Sequence, residues 1–173
     1  SSGGSNFGII LSSTVSGNVV SGNVITTNGT NFNYGIYLEG TNADNNSVAN
    51  NTITTGGSAG TNVGIYLTTT VSGNVISGNV ITTNGTSQNY GISLDTSANN
   101  NSVANNTVTT GGSAGVNVGI YLWGTVSGNV LSGNTVTTNG TSSNSGIFLE
   151  SSANNNAVAN NNSQKKDVSP VYV

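Results

Sequence analysis

The chain has 173 residues, of which only seven are charged (two Lys and five Asp or Glu), and it contains no Arg, His, Cys or Met. A net charge of −3 without a basic cluster excludes a nucleic-acid binder, because phosphate contacts need grouped Lys or Arg. No apolar run approaches a membrane span, one domain is expected at this length, and the ordered return of Val, Ile and Leu argues against disorder.

A Gly-Ile-x-Leu unit recurs six times along the chain. The copies are Gly8-Ile9-Ile10-Leu11, Gly35-Ile36-Tyr37-Leu38, Gly64-Ile65-Tyr66-Leu67, Gly91-Ile92-Ser93-Leu94, Gly119-Ile120-Tyr121-Leu122 and Gly146-Ile147-Phe148-Leu149. Their glycines stand 27, 29, 27, 28 and 27 residues apart. A repeat so long and so regular is one turn of a solenoid rather than a hairpin. After each unit, apolar residues follow at fixed offsets: Ile65, Leu67, Val71, Ile76 and Ile81 in the third coil, Ile92, Leu94, Ala98, Val103 and Val108 in the fourth. Alternation in Ile-x-Leu turns both aliphatic residues to one face and the middle residue to the other. The Gly, Asn, Ser and Thr between them supply corners.

The expected fold is all-β: a single-domain parallel β-helix of six coils with 27–29 residues per coil and three short strands per coil. It covers residues 1–163 and is followed by a C-terminal tail at 164–173. Stacked rungs about 4.8 Å apart give a rod of roughly 29 Å. Two coil types alternate. Odd coils carry Thr-Val-Ser-Gly-Asn at 14–18, 70–74 and 125–129, whereas even coils carry Val-Ala-Asn-Asn, so the true repeat is a pair of coils. Asn18, Asn46, Asn74, Asn101, Asn129 and Asn156 are expected to stack as a corner ladder, with a second ladder at Asn23, Asn51, Asn79, Asn106, Asn134 and Asn161.

The pattern Gly-Ile-Tyr-Leu…Asn-Asn-Ser-Val-Ala-Asn-Asn-Thr-Ile at residues 35–53 resembles the right-handed parallel β-helix repeats of the pectate-lyase-like superfamily, including NosD-type and archaeal surface proteins. The resemblance covers residues 8 to about 161. It implies the fold and its hand, but no single activity, since that superfamily holds lyases, hydrolases, adhesins and inert spacers. The lyases pair acidic calcium ligands with an Arg or Lys base; here there is no Arg, and both lysines, Lys165 and Lys166, lie in the tail. The hydrolases group Asp residues closely. Glu39, Asp95 and Glu150 share one outward column but occur on every second coil, about 9.6 Å apart, too far for a retaining pair and marginal for an inverting one. There is no His for general-base work. No catalytic residue, metal site or cofactor is therefore expected.

Three surfaces remain as candidates. Outward positions of the first strand read Ile10, Tyr37, Tyr66, Ser93, Tyr121 and Phe148, with Trp123 on the same face, an aromatic row suited to a protein neighbour or to sugar rings. Outward positions of the third strand pair Val24 with Thr26, Thr52 with Thr54, Val80 with Thr82, Thr107 with Thr109 and Thr135 with Thr137, an array similar to ice-binding β-solenoids. Asn28, Asn84 and Asn139 head Asn-Gly-Thr sequons open to glycosylation. The tail, with Val168, Pro170, Val171, Tyr172 and Val173, is expected either to cap the last coil or to add a strand to a neighbour. Opening on Ser rather than Met, the chain reads as a processed product or a piece of something longer. The expected role is a non-catalytic, extracellular structural protein that stacks on itself head to tail. Carbohydrate or ice binding is the alternative.

Overall fold

The computed structural model describes residues 4–166; the tail positions Val168, Pro170, Val171, Tyr172 and Val173 lie outside the described residues. Three parallel sheets of six strands each build the molecule, and every coil gives one strand to each. The first sheet comprises Asn6–Ser12, Asn33–Glu39, Asn62–Thr68, Asn89–Asp95, Asn117–Trp123 and Asn144–Glu150. The second comprises Val19–Ser21, Ser47–Ala49, Val75–Ser77, Ser102–Ala104, Val130–Ser132 and Ala157–Ala159. The third comprises Val24–Gly29, Thr52–Gly57, Val80–Gly85, Thr107–Gly112, Thr135–Thr138 and Asn162–Lys165. The expected all-β parallel solenoid of six three-strand coils is what the chain forms.

The strand register aligns like residues on successive rungs. Ile36 pairs with Ile65 and Leu38 with Leu67, Ile53 with Ile81, and Val48 with Ile76. In the middle coils these columns are sealed: Ile65, Leu67, Val71, Ile76 and Ile81 are at most 1% exposed. Each such side chain contributes about 1.5–3 kcal/mol of burial.

The glycine of each Gly-Ile-x-Leu unit is there for closeness. A Cβ on Gly64 would lie 2.2 Å from Ile81 Cγ2 and 2.6 Å from the Gly91 carbonyl oxygen, so the first and third sheets meet only where a side chain is missing. The would-be side chain faces the core, and strict alternation fails there. Tyr34, which a period of two counted back from Ile36 turns inward, joins Tyr37 and Tyr66 on the outer face. Asn33 turns inward instead and is fully buried.

The corners explain the two coil types. Among the left-handed positions, two recur in register at the corners of every coil. In the odd coils they hold Gly17 and Gly22, Gly73 and Gly78, Gly128 and Gly133; in the even coils, Asn45 and Asn50, Asn100 and Asn105, Asn155 and Asn160, all with φ between 54° and 69°. Glycine and asparagine are the residues that tolerate this conformation. The alternation is steric. Oδ1 of Asn50 lies 2.5 Å from where a Cβ on Gly78 would sit, and Oδ1 of Asn105 lies 2.4 Å from the same point on Gly133. Each left-handed corner Asn of the second and fourth coils thus rests on a glycine of the next coil, and the third and fifth coils cannot carry Asn there without displacing it.

Beside these corners run both expected ladders. In each step the backbone N–H and the Nδ2 of one Asn donate to Oδ1 of the Asn in the next coil. Asn51 donates to Asn79 at 3.0 Å from both atoms, and Asn79 to Asn106 at 3.0 and 2.9 Å. A third Asn column, Asn33, Asn62, Asn89 and Asn117, is buried inside the first sheet's corner, with Asn33 Nδ2 donating to Asn62 Oδ1 at 2.9 Å. A fourth polar column costs stability. Thr27, Thr55, Thr83, Thr110 and Thr138 point inward, and their Oγ1 atoms have no hydrogen-bond partner among the described residues.

Candidate functional site

The outer face of the first sheet carries three columns. The middle one is the expected row, with Ile10, Tyr37 and Tyr66 in register, then Ser93, Tyr121 and Phe148. The structure adds a column beyond the glycines, Phe7, Tyr34, Val63, Tyr90 and Val118. The alternation read within Ile-x-Leu does not reach past the glycine, and a glycine inside a strand is itself the sign that alternation breaks there. On the other side lie Asp95, Trp123 and Glu150.

The rings form two stacks. Phe7, Tyr34, Tyr37 and Tyr66 make one, with centroids 5.2–5.5 Å apart, and Phe32 joins it at 6.2 Å from Tyr34. Tyr90, Tyr121 and Phe148 make the other, at 5.0 and 5.7 Å. Between them the middle column holds Ser93, which is only 4% exposed, and a groove of about 410 Å³ opens above it. Val63 and Ser93 lie at its base, Tyr34 and Tyr66 belong to one stack, Tyr90 and Tyr121 to the other. Thr61 and Gln88 line one end and Asp95 with Trp123 the other.

Polar groups in and beside the groove are held by specific bonds. Tyr66 Oη donates to Asp95 Oδ2 at 2.7 Å, Thr96 Oγ1 donates to Asp95 Oδ1 at 2.7 Å, and Thr61 Oγ1 donates to Gln88 Oε1 at 3.0 Å. Tyr121 Oη donates to Glu150 Oε1. Burial, then the hydrogen bond to Asp95, pushes the Tyr66 phenol well above the ordinary tyrosine value; burial and Glu150 do the same for Tyr121, burial and Glu39 for Tyr37. Burial also raises Tyr34 and Tyr90. These phenols keep their protons at neutral pH, and those of Tyr66 and Tyr121 act as hydrogen-bond donors.

The Thr array lies on the outer face of the third sheet. Val24, Thr52, Val80, Thr107 and Thr135 form one rank, and Thr26, Thr54, Thr82, Thr109 and Thr137 the next. Beside them Asn28 pairs with Gly56 and Asn84 with Gly111, and the exposed side chains of Asn28, Asn84 and Asn139 recur on odd coils. The sequon hydroxyls of Thr86 and Thr141 are already engaged, donating to the carbonyls of Ser58 at 2.6 Å and Ser113 at 2.7 Å. Among the described residues, no three acidic, His or Cys side chains gather where a metal ion would be held.

The two end coils leave pairing groups of the ladders unused. In coil 1, nothing among the described residues donates to Oδ1 of Asn18 or Asn23, and a Cβ on Gly17 or Gly22 would meet nothing within 4 Å. In coil 6, the backbone N–H groups of Asn156 and Asn161 reach no further Asn, and the left-handed Asn155 and Asn160 have no glycine of a next coil to rest on. The last strand of the third sheet sets Ser163 and Lys165 against Val136 and Thr138.

A family model for the right-handed β-helix region matches residues 2–136, and the chain belongs to that family. No curated protein and no solved structure matches it.

Proposed function

We propose that the chain is a non-catalytic, extracellular structural module that joins copies of itself end to end into a fibre. The observation that supports this is the complementarity of coils 1 and 6. The Asn ladders run with one polarity, every step donating toward the higher-numbered coil. They therefore start in acceptors, Oδ1 of Asn18 and Asn23, and finish in donors, the N–H groups of Asn156 and Asn161. A second copy placed with its coil 1 on coil 6 continues both ladders. It also sets Gly17 beneath Asn155 and Gly22 beneath Asn160, the contact that Gly78 makes with Asn50 inside the rod. Joining like ends fails: coil 1 on coil 1 brings acceptor to acceptor, and coil 6 on coil 6 brings donor to donor and Asn to Asn. The contact of coil 1 on coil 6 is heterologous and does not close, and so it propagates.

Apolar surface favours the joint. Ile9, Val15 and Val20 of coil 1, and Ile147, Leu149 and Ala153 of coil 6, are only partly buried although they continue the core columns. Lys165 on the last edge strand opposes it, since charged edge residues resist strand addition. Negative-stain electron microscopy of the concentrated native protein tests the reading. Filaments with one subunit per roughly 29 Å of length are expected. Single short rods at every concentration would overturn it.

A further inference from the structure

We infer that the groove over Ser93 is a binding site for an uncharged pyranose ring of a glycan. The row that forms it is otherwise filled, rung after rung, by Tyr37, Tyr66, Tyr121 and Phe148. Ser93 takes one ring out of that row. The rungs of Tyr66 and Tyr121 are then two steps apart, about 9.6 Å, whereas neighbouring rings in the filled part, Tyr37 and Tyr66, stand 5.3 Å apart. The groove of about 410 Å³ lies in that gap, and a ring seated in it has Tyr66 on one side and Tyr121 on the other.

The polar groups select the kind of ring. They sit at the two ends of the groove, Thr61 and Gln88 at one and Asp95 at the other, with the Ser93 hydroxyl at the base. Aromatic walls with hydrogen-bonding groups at the margins suit a ring whose faces are C–H and whose rim is hydroxyl. Asp95 already accepts from Tyr66 and Thr96, and a carboxylate with about four lone-pair sites accepts further hydroxyls. The charge of the groove excludes acidic sugars. Asp95 lines it, Glu150 is bonded to the Tyr121 that lines it, and no Lys or Arg does. A uronate, sulfate or phosphate there would face a carboxylate with no cation to offset it. The sequence placed the aromatic row, but the site lies where the row fails.

Calorimetric titration of the full chain with neutral hexasaccharides (maltohexaose, mannohexaose and chitohexaose), with hexagalacturonate and with tetramethylammonium tests the inference. At least one neutral hexasaccharide is expected to bind, and hexagalacturonate is not. Ser93→Tyr, which refills the row, is expected to weaken that binding by about tenfold or more. Trp123 is 44% exposed, so Trp123→Ala removes a lining ring without touching the core and is expected to weaken binding in the same direction. The inference is overturned by failure of all three neutral sugars, by undiminished binding in both variants, or by tetramethylammonium binding where no sugar does, which would make the groove a cation cage.

Discussion

Gly22 and Gly78 hold the same corner of coils 1 and 3, with φ of 68° and 63°, yet their surroundings are opposite. The would-be side chain of Gly78 is blocked by Asn50, while that of Gly22 meets open space. The ladders make the same contrast. Asn106 gives its Oδ1 to Asn79 and passes its own N–H to Asn134, whereas the N–H of Asn161 reaches no further Asn. An end coil is thus an interior coil with half of its pairing unmade. In coil 6 the last strand also departs from the repeat, setting Asn162, Ser163, Gln164 and Lys165 against Thr135, Val136, Thr137 and Thr138. The difference shows that the two-coil repeat is a pairing rule: an even coil is followed by an odd one because a left-handed Asn needs a glycine above it.

Several substitutions sharpen or break the contrast, taken from the largest effect downward. Gly64→Ala forces a Cβ into Ile81 and the Gly91 carbonyl, and is expected to cost on the order of 3 kcal/mol in denaturant unfolding. Asn106→Leu takes the acceptor from the Asn79 backbone N–H and from one of the two Asn79 Nδ2 hydrogens, the other staying on the Val48 carbonyl, at about 2–3 kcal/mol. Asn161→Leu does the same to Asn134 at a wetter end and is expected to cost about 1 kcal/mol. Gly78→Asn is expected to cost about 2 kcal/mol, because two side chains then claim one space. Gly22→Asn is expected to cost less than about 0.5 kcal/mol, since Asn tolerates the left-handed conformation and nothing is in its way. Equal losses at Gly22 and Gly78 would break the rule.

Smaller effects come from groups the ladders do not use. Thr83→Val removes a buried hydroxyl that has no partner and is expected to stabilise by about 1 kcal/mol; Thr82→Val on the outer face is expected to change stability by less than about 0.5 kcal/mol. The tyrosines give a pH dependence. Their folded values lie above the ordinary 10.0, so the folded state favours the protonated phenols. Their contribution is complete below about pH 10 and is lost as pH climbs through the folded values. Tyrosinate absorbance followed against pH is expected to rise later in the native protein than in the denatured chain.

The fold was legible because every core position obeys one spacing, and the corner Asn ladders were legible because they share it. The Thr array was legible too, since Ile25 and Ile81 fix the parity of their own strands. What escaped was local. A period of two cannot see that Gly35 faces the core, so Tyr34 and the buried Asn33 were left unplaced, and with them half of the groove. The alternation of Gly and Asn was visible as a pattern, but its cause, an amide oxygen lying over the next glycine, appears only when the coils are stacked.

Light scattering at matched concentrations on the native protein and on the double variant Gly17→Asn with Gly22→Asn tests the end-joint most directly. These two positions have open space in a single rod, so the variant keeps its fold, but in a stack they would meet Asn155 and Asn160 of a neighbour. The account predicts that the native mass climbs above 17.2 kDa with concentration while the variant stays there. A native protein that never leaves 17.2 kDa, or a variant that associates equally well, would contradict it.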